Sequence, residues 1–229
     1  MSDQPIHKAA QRGDVDALRR WLAKGVSPNA LSQHLSGTLT PLHLVCHRGD
    51  NAKARVDCLT ALVDAGADIH ALDDCLIWTP LHLAAKHCPA NVVAALIKAG
   101  ADVNQGGEYN ITPLHSACCR DDSDVEPALV LIRNGADLSA RYSIGDTPLD
   151  RAIHHPRHRL VPILLRAGAA LPAETDNAYI QKVIAAGGFE TYKRIHLDAL
   201  AATFAPHFAH LPPEIVRLVV EYAFHVGYY

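Results

Sequence analysis

Three groupings of side chains in this sequence have the makings of chemistry. Cys118 and Cys119 with nearby His115 are the closest approach to a thiol nucleophile and its base. His154, His155 and His158, in the run HHPRH, are the closest approach to a transition-metal site. The paired acids Asp73-Asp74 and Asp121-Asp122 are the closest approach to a general acid and base. None of the three carries a recognisable catalytic arrangement. The sequence contains no HExxH, no GxSxG, no HxE followed by PCxxC and no kinase set. Pro156 interrupts the histidine run, which lacks both an i,i+4 pair free of proline and an added carboxylate, so no metal is expected. The acid pairs fall in expected loops and read as solvated turns. Gly106-Gly107 lacks the downstream Gly-Lys-Ser/Thr of a phosphate-binding loop, so no cofactor is expected and the chain is read as a non-enzyme.

The elements that position these residues recur along the chain. TPLH stands at Thr40-Pro41-Leu42-His43, Thr79-Pro80-Leu81-His82 and Thr112-Pro113-Leu114-His115. A fourth copy reads Thr147-Pro148-Leu149-Asp150, and a worn one, Gln4-Pro5-Ile6-His7, precedes them all. The clear copies start 39, 33 and 35 residues apart. A second landmark, Ala65-Gly66-Ala67-Asp68, recurs at Ala99-Gly100-Ala101-Asp102, Asn134-Gly135-Ala136-Asp137 and Ala167-Gly168-Ala169. A period of this length signifies stacked supersecondary units. The insertions that vary it fall around residues 50–55 and 121–124, where a solvent-side turn between two helices tolerates them. Pro at a first helical turn with Thr before it fits a capped start, and the glycines fit the left-handed residue that closes a helix. His115 and Cys118 are then motif positions given over to packing.

This pattern resembles the ankyrin repeat, over about Pro5 to Leu171. The resemblance implies an all-α fold in which each unit is a helix, a tight turn, an antiparallel helix and a hairpin, stacked into a curved solenoid. It places units near residues 4–30, 40–71, 79–105, 112–140 and 147–171, followed by a helical region, 172–229, packed on the last of them. It implies that His43, His82 and His115 hydrogen-bond within and between neighbouring loops. The implied function is non-catalytic binding of another protein, as an adaptor or scaffold, through hairpin tips and a concave face. The family's hairpin has Gly two residues before the Thr. Here Thr38, Ile77 and Asn110 replace it and Gly145 keeps it. Positive φ suits Ile poorly, so the Ile77 loop is expected to depart from the usual hairpin.

Composition bounds the rest. The formal charge of −3 on 229 residues gives no nucleic-acid signature. No apolar stretch reaches membrane-spanning length and no basic-then-apolar leader opens the chain, so no membrane insertion is expected. An intracellular location, cytoplasmic or nuclear, is expected. The six cysteines (Cys46, Cys58, Cys75, Cys88, Cys118 and Cys119) form no CxxC, and Cys46 and Cys118, at the small-residue position of the first helix, read as buried small hydrophobes of a reduced intracellular protein.

The family's concave side is lined by the two residues after the small pair of each first helix. Here these are Gln11-Arg12, His47-Arg48, Lys86-His87, Cys119-Arg120 and His154-His155, with no acid among them. Stacking lines up Arg12, His47, Arg48, Lys86, His87, Arg120, His154 and His155 as a basic, histidine-containing stripe. Such a stripe favours an acidic partner segment, held less tightly at high salt and more tightly as pH falls toward about 6. Trp78, with Leu39, Ile111 and Asp146 at equivalent places, reads either as a partner anchor or as packing against the next loop. Tyr109 and Tyr142 in the hairpins complete the candidate contacts. Residues 31–39 read as a long first loop.

After residue 171 the pattern changes. A helix is expected from Ala178 to Ala186, ending at Gly187-Gly188, and another from Phe189 to Phe204, with Phe189, Tyr192, His196, Leu200 and Phe204 on one face. A third, very apolar helix is expected from about Ile215 to His225. Its start, LPPEIVRLVVEY, resembles the first helix of an F-box. That resemblance implies docking on the linker subunit of a cullin-type ubiquitin ligase through Leu211, Pro212, Ile215, Leu218 and Val219. The alternative is a helical cap that closes the array.

Overall fold

The computed structural model describes residues 5–34, 37–47, 51–120, 124–154, 159–204, 212 and 215–216. The chain divides into two compact units, Met1–Ala170 and Leu171–Tyr229. The first is an α-helical solenoid of helix pairs: α1 (Pro5–Arg12) with α2 (Val15–Ala23), α3 (Pro41–Cys46) with α4 (Ala52–Asp64), α5 (Pro80–His87) with α6 (Ala90–Lys98), α7 (Pro113–Cys118) with α8 (Glu126–Arg133), and α9 (Pro148–His154) with α10 (Leu160–Arg166).

The tetrapeptide writes the start of each first helix. In the Thr40, Thr79 and Thr112 copies the Thr is the N-cap, and Pro fills the first turn, where its missing N–H is no loss. The Thr and His side chains complete a reciprocal capping box. The backbone N–H of Thr40, Thr79 and Thr112 donates to Nδ1 of His43, His82 and His115 at 3.3, 3.1 and 3.2 Å. A ring nitrogen that accepts from an N–H carries no proton, so the proton sits on Nε2. That nitrogen donates onward to the next unit: His43 to the Trp78 carbonyl at 3.0 Å, His82 to Ile111 at 2.8 Å and His115 to Asp146 at 3.3 Å. In the fifth copy the Asp150 carboxylate accepts from the Thr147 N–H and hydroxyl instead, at 2.9 and 2.7 Å.

Leu42, Leu81, Leu114 and Leu149 are wholly buried, and the first helices stack in one row, α1 on α3, α3 on α5, α5 on α7 and α7 on α9. The second helices form another row, α2 on α4, α4 on α6 and α6 on α8. Burying each of those leucines contributes about 1.5–3 kcal/mol. One left-handed position closes the second helices, held by Gly66, Gly100, Gly135 and Gly168 at φ 87°, 103°, 85° and 100°.

Several local expectations are corrected. Residues 31–39 are not simply a loop: β1 (Ser32–His34) pairs antiparallel with β2 (Gly37–Leu39), Gln33 facing Thr38. The N–H and hydroxyl of Thr38 both donate to the Asp74 carboxylate, which fixes this edge to the following hairpin. The Ile77 loop does adopt the left-handed residue, with φ 52°, as do Asn110 (64°) and Gly145 (91°) at the equivalent places. Its path is set by Asp73, which donates its N–H to the Trp78 carbonyl at 3.0 Å. The Asp73 carboxylate accepts from the N–H of Cys75 and Leu76 at 3.1 and 2.7 Å. These bonds offset a left-handed cost of about 1–2 kcal/mol for an L side chain.

The Asp50–Arg55 insertion is not wholly a solvent turn either. Arg55 is buried within α4, and its guanidinium donates to the carbonyls of Ala10 at 3.0 Å and Gln11 at 2.9 Å, at the C-terminal end of α1. Of the cysteines, Cys46, Cys58, Cys88 and Cys118 are buried, whereas Cys75 is exposed on a hairpin and Cys119 half-buried.

The second unit contains α11 (Ala178–Ala185) and α12 (Phe189–Phe204), separated by Gly187 and Gly188 with positive φ. Tyr179 meets Tyr192 edge-on at 5.5 Å. The expected face of α12 holds for Phe189, which is buried, but His196 is exposed and Leu197 is buried instead. The exposed imidazole stacks on Tyr192, with ring centroids 4.6 Å apart and planes 27° from parallel. Beyond α12, the N–H groups of Ile215 and Val216 donate to the Pro212 carbonyl at 2.9 and 3.2 Å, with Ile215 exposed and Val216 buried. Leu211, Leu218 and Val219 lie outside the described residues, as does most of the third expected helix.

Candidate partner-binding surface

The expected basic stripe sits at the C-terminal ends of the first helices. Arg12 ends α1 and is exposed. His47 follows α3 and stacks on His87, the last residue of α5, with ring centroids 5.4 Å apart and planes 24° from parallel. Lys86 lays its ammonium 5.4 Å over the Trp78 ring, a cation–π arrangement. His154 is exposed and donates Nδ1–H to the Asp150 carbonyl of its own helix at 2.7 Å. Arg48 and His155 lie outside the described residues.

Two expected contacts are withdrawn from the surface. Arg120 is buried, and its Nη1 donates to the carbonyls of Ala85 at 3.1 Å and Cys88 at 2.8 Å. An α-helix leaves its last carbonyls without partners, and Arg120 supplies them for α5 from the next unit. Trp78 is only 8% exposed, stacks on His82 at 5.9 Å and leaves Nε1 without a hydrogen-bond partner. Its edge abuts Gly107, where an added Cβ would stand 2.8 Å from Cδ1. Of the two expected roles, this burial matches packing against the next loop.

Tyr142 is half-buried in a polar cluster. Its hydroxyl donates to Asp146 Oδ2 at 3.2 Å and accepts from Arg151 Nη1 at 3.2 Å, while its ring meets His115 edge-on. Arg151 Nη2 also reaches the Cys119 sulfur at 3.0 Å. The neighbouring Cys118 thiol is buried and pushed well up by desolvation, far from the thiolate a nucleophile requires. His115 is spent on Thr112 and Asp146, and burial lowers its pKa. Among the described residues no three His, Cys, Asp or Glu side chains converge as a metal site, and no helix is long and apolar enough to cross a membrane.

The hairpins differ from the helix ends. Tyr109 is 61% exposed, and at the equivalent place in neighbouring hairpins Leu76 is 39% and Ile144 71% exposed. Leu76 and Ile144 were not anticipated from sequence. The signal was there, since each directly precedes the left-handed position already identified at Ile77, Asn110 and Gly145.

Comparison with known proteins decides the family. A family model for ankyrin repeats (3 copies) matches residues 6–107, and one for a single ankyrin repeat matches 109–143. The chain belongs to the ankyrin-repeat family. Relatives of this ankyrin array include the neurogenic locus Notch protein of Drosophila melanogaster, 34% identical over 142 residues, 57% of this chain and 5% of the relative. Tyrosine-protein kinase HTK16 of Hydra vulgaris is 31% identical over 162 residues, 69% of this chain and 20% of the relative. Ankyrin repeat and SOCS box protein 16 of Homo sapiens is 32% identical over 189 residues, 65% and 40% respectively. The chain thus spans less than half the length of each. Ankyrin repeats are an interaction fold, generally without catalysis of their own.

Proposed function

We propose that the ankyrin array is a non-catalytic adaptor that holds a partner protein chiefly on its hairpins. The observation that supports this is where its greasy surface lies. Among the described residues of the first unit, every exposed large apolar side chain is in the segments that join one helix pair to the next: Leu31, Leu72, Leu76, Ile77, Tyr109 and Ile144. Apolar side chains gathered on one side of a folded unit mark a contact surface. The concave residues Arg12, His47, Lys86, His87 and His154 remain as a second contact, for an acidic stretch of the partner. Arg120, Trp78 and Tyr142 serve the array itself. Affinity capture on the wild-type chain and on a Tyr109→Asp, Ile144→Asp variant tests this. The partner set should disappear from the variant while its thermal melt is unchanged, and an identical set would sink the reading.

A second reading concerns the second unit. Exposed Ile215, in the segment that resembles an F-box, supports docking on the linker subunit of a ubiquitin ligase. Recovery of that subunit by the wild-type chain but not by Ile215→Asp is the expected outcome, and its absence from both would end this reading.

A further inference from the structure

We infer that the first hairpin takes an extended strand of the partner along the outer edge of β1, paired through the backbone with Gln33 and carrying an apolar side chain beside Leu31. The inference rests on the reading of the hairpins as the partner surface. β1 and β2 make a sheet of two strands, so each has one edge turned away from the other. The two edges are finished differently. On β2 the Thr38 N–H donates to the Asp74 carboxylate of the next hairpin. On β1 the N–H and carbonyl of Gln33 take part in no such bond among the described residues.

The register decides which groups are left over. In an antiparallel pair, facing residues alternate between those that exchange N–H···O bonds and those that do not. Gln33 faces Thr38. The Thr38 N–H is turned outward to Asp74, so this pair is of the unbonded kind. The N–H and carbonyl of Gln33 therefore both point away from β2. A donor and an acceptor offered side by side by one residue are met by one residue of an antiparallel strand. A polyproline segment lacks the N–H, and an α-helix spends its own internally.

The edge is held in place and left undefended. His7 Nε2 donates to the Ala30 carbonyl at 2.8 Å, which fixes the entry to β1. Ser32 and Leu39, which face each other, are both buried. Leu31, at the head of β1, is 64% exposed. Proteins commonly blunt a bare strand edge with lysine or proline, and Leu31-Ser32-Gln33-His34 has neither. The rest of the row shows what suits such an edge. Later hairpins meet their predecessors through the backbone: the Glu108 N–H donates to the Leu76 carbonyl at 2.8 Å and the Ser143 N–H to the Tyr109 carbonyl at 2.9 Å. Among the described residues the first hairpin has no predecessor, and a partner strand supplies there the kind of contact the array makes with itself.

The test is a library of short randomised peptides displayed on phage and panned on the whole chain. Each binder is then measured by fluorescence anisotropy against wild type, Gln33→Ala and Gln33→Pro. Gln33→Ala keeps both backbone groups. Gln33→Pro removes only an N–H that the hairpin itself does not use, at an edge position where proline is tolerated. The expected binders hold Gln33→Ala as tightly as wild type and lose about tenfold on Gln33→Pro. N-methylating a binder one residue at a time should weaken it at alternate positions and spare those between. That scan needs no variant, and it decides the matter if Gln33→Pro lowers the thermal melt. The inference is overturned if no binder depends on the Gln33 N–H, or if the dependent binders are rich in proline or lack the alternation. A free chain that is dimeric as wild type and monomeric as Gln33→Pro would give the edge to a second copy and overturn it too. The Tyr109→Asp, Ile144→Asp variant reads the underlying proposal separately: partner capture that is lost there leaves the hairpin reading standing whatever β1 does.

Discussion

Arg120 donates from Nη1 to the Cys88 carbonyl across 2.8 Å, so the end of α5 is closed by a residue of the following unit. The same nitrogen reaches the Ala85 carbonyl. Truncating Arg120→Met strips those acceptors of their donor inside the protein and should cost about 1–3 kcal/mol. Urea denaturation of the two proteins reads this directly. An unchanged midpoint would mean that water replaces the guanidinium.

Arg55 does the same for Ala10 and Gln11 at the end of α1. Arg55→Met should lose a comparable amount and speed hydrogen exchange in α1 and α2 first. The two arginines bond to carbonyls of different units, Ala10 and Gln11 for Arg55 and Ala85 and Cys88 for Arg120, so the double variant should be additive within about 0.5 kcal/mol. A larger coupling would show that the units communicate along the row more strongly than nearest-neighbour stacking allows.

Acidification should loosen the array in a defined window. Burial holds His82 at a pKa of about 4, and burial also lowers His43 and His115. Protonating Nδ1 of any of them would set N–H against the N–H of its own Thr. The unfolded chain takes up these protons near its ordinary value of about 6.5 and the folded chain does not, so the unfolded state gains as pH falls. Stability should be full above about pH 6.5 and drain away toward pH 4, by about 3 kcal/mol from His82 alone. Urea midpoints at intervals from pH 8 to 4.5 give the curve. His82→Asn should be weaker at neutral pH but flatter, and a level wild-type curve would contradict the account.

Ile77 is a β-branched residue at φ 52°. Ile77→Gly should remove a cost of about 1 kcal/mol and raise the melting temperature, since the side chain is exposed. A fall in melting temperature would assign the side chain a packing role that its exposure denies.

Gly107→Ala should do the reverse. The added Cβ would press on Trp78 Cδ1 and, at 3.0 Å, on the Ile77 carbonyl oxygen. A loss of about 1–3 kcal/mol with a shift in tryptophan emission is expected. Wild-type stability would mean that the two hairpins part without penalty.

The repeat was legible in sequence because its landmarks are backbone-determined. Thr-Pro writes a helix start, Gly66 and its equivalents write a helix end, and the 33 to 39 residue period binds them. The His43, His82 and His115 bonds were implied by the family resemblance and not by the residues alone. The surface was less legible because a long side chain chooses between water and a nearby carbonyl only in three dimensions. Arg120 and Arg12 look alike in the repeat, yet the first is buried and the second exposed. Arg55 had a usable sign: with Cys58, Leu59 and Leu62 it falls at i, i+3, i+4 and i+7 on the buried stripe of α4. Ile77 misled because steric preference is local, whereas the Asp73 bonds that outweigh it arise from the folded loop.

The imidazole bonds that leave the three capping boxes point forward along the chain, from His43 to Trp78, from His82 to Ile111 and from His115 to Asp146, as does that from His7 to Ala30 at 2.8 Å. Asp150, having no proton to give, asks nothing of what comes after it. Such an array has a grain. Trimming it from the front leaves those imidazoles content but strands the buried guanidinium of Arg55 or Arg120, whereas cutting behind His43, His82 or His115 strands an imidazole N–H in a dry interior. Shortened versions should therefore lose a buried bond at either cut: an arginine's when units are taken from the beginning, an imidazole's when they are taken from the end.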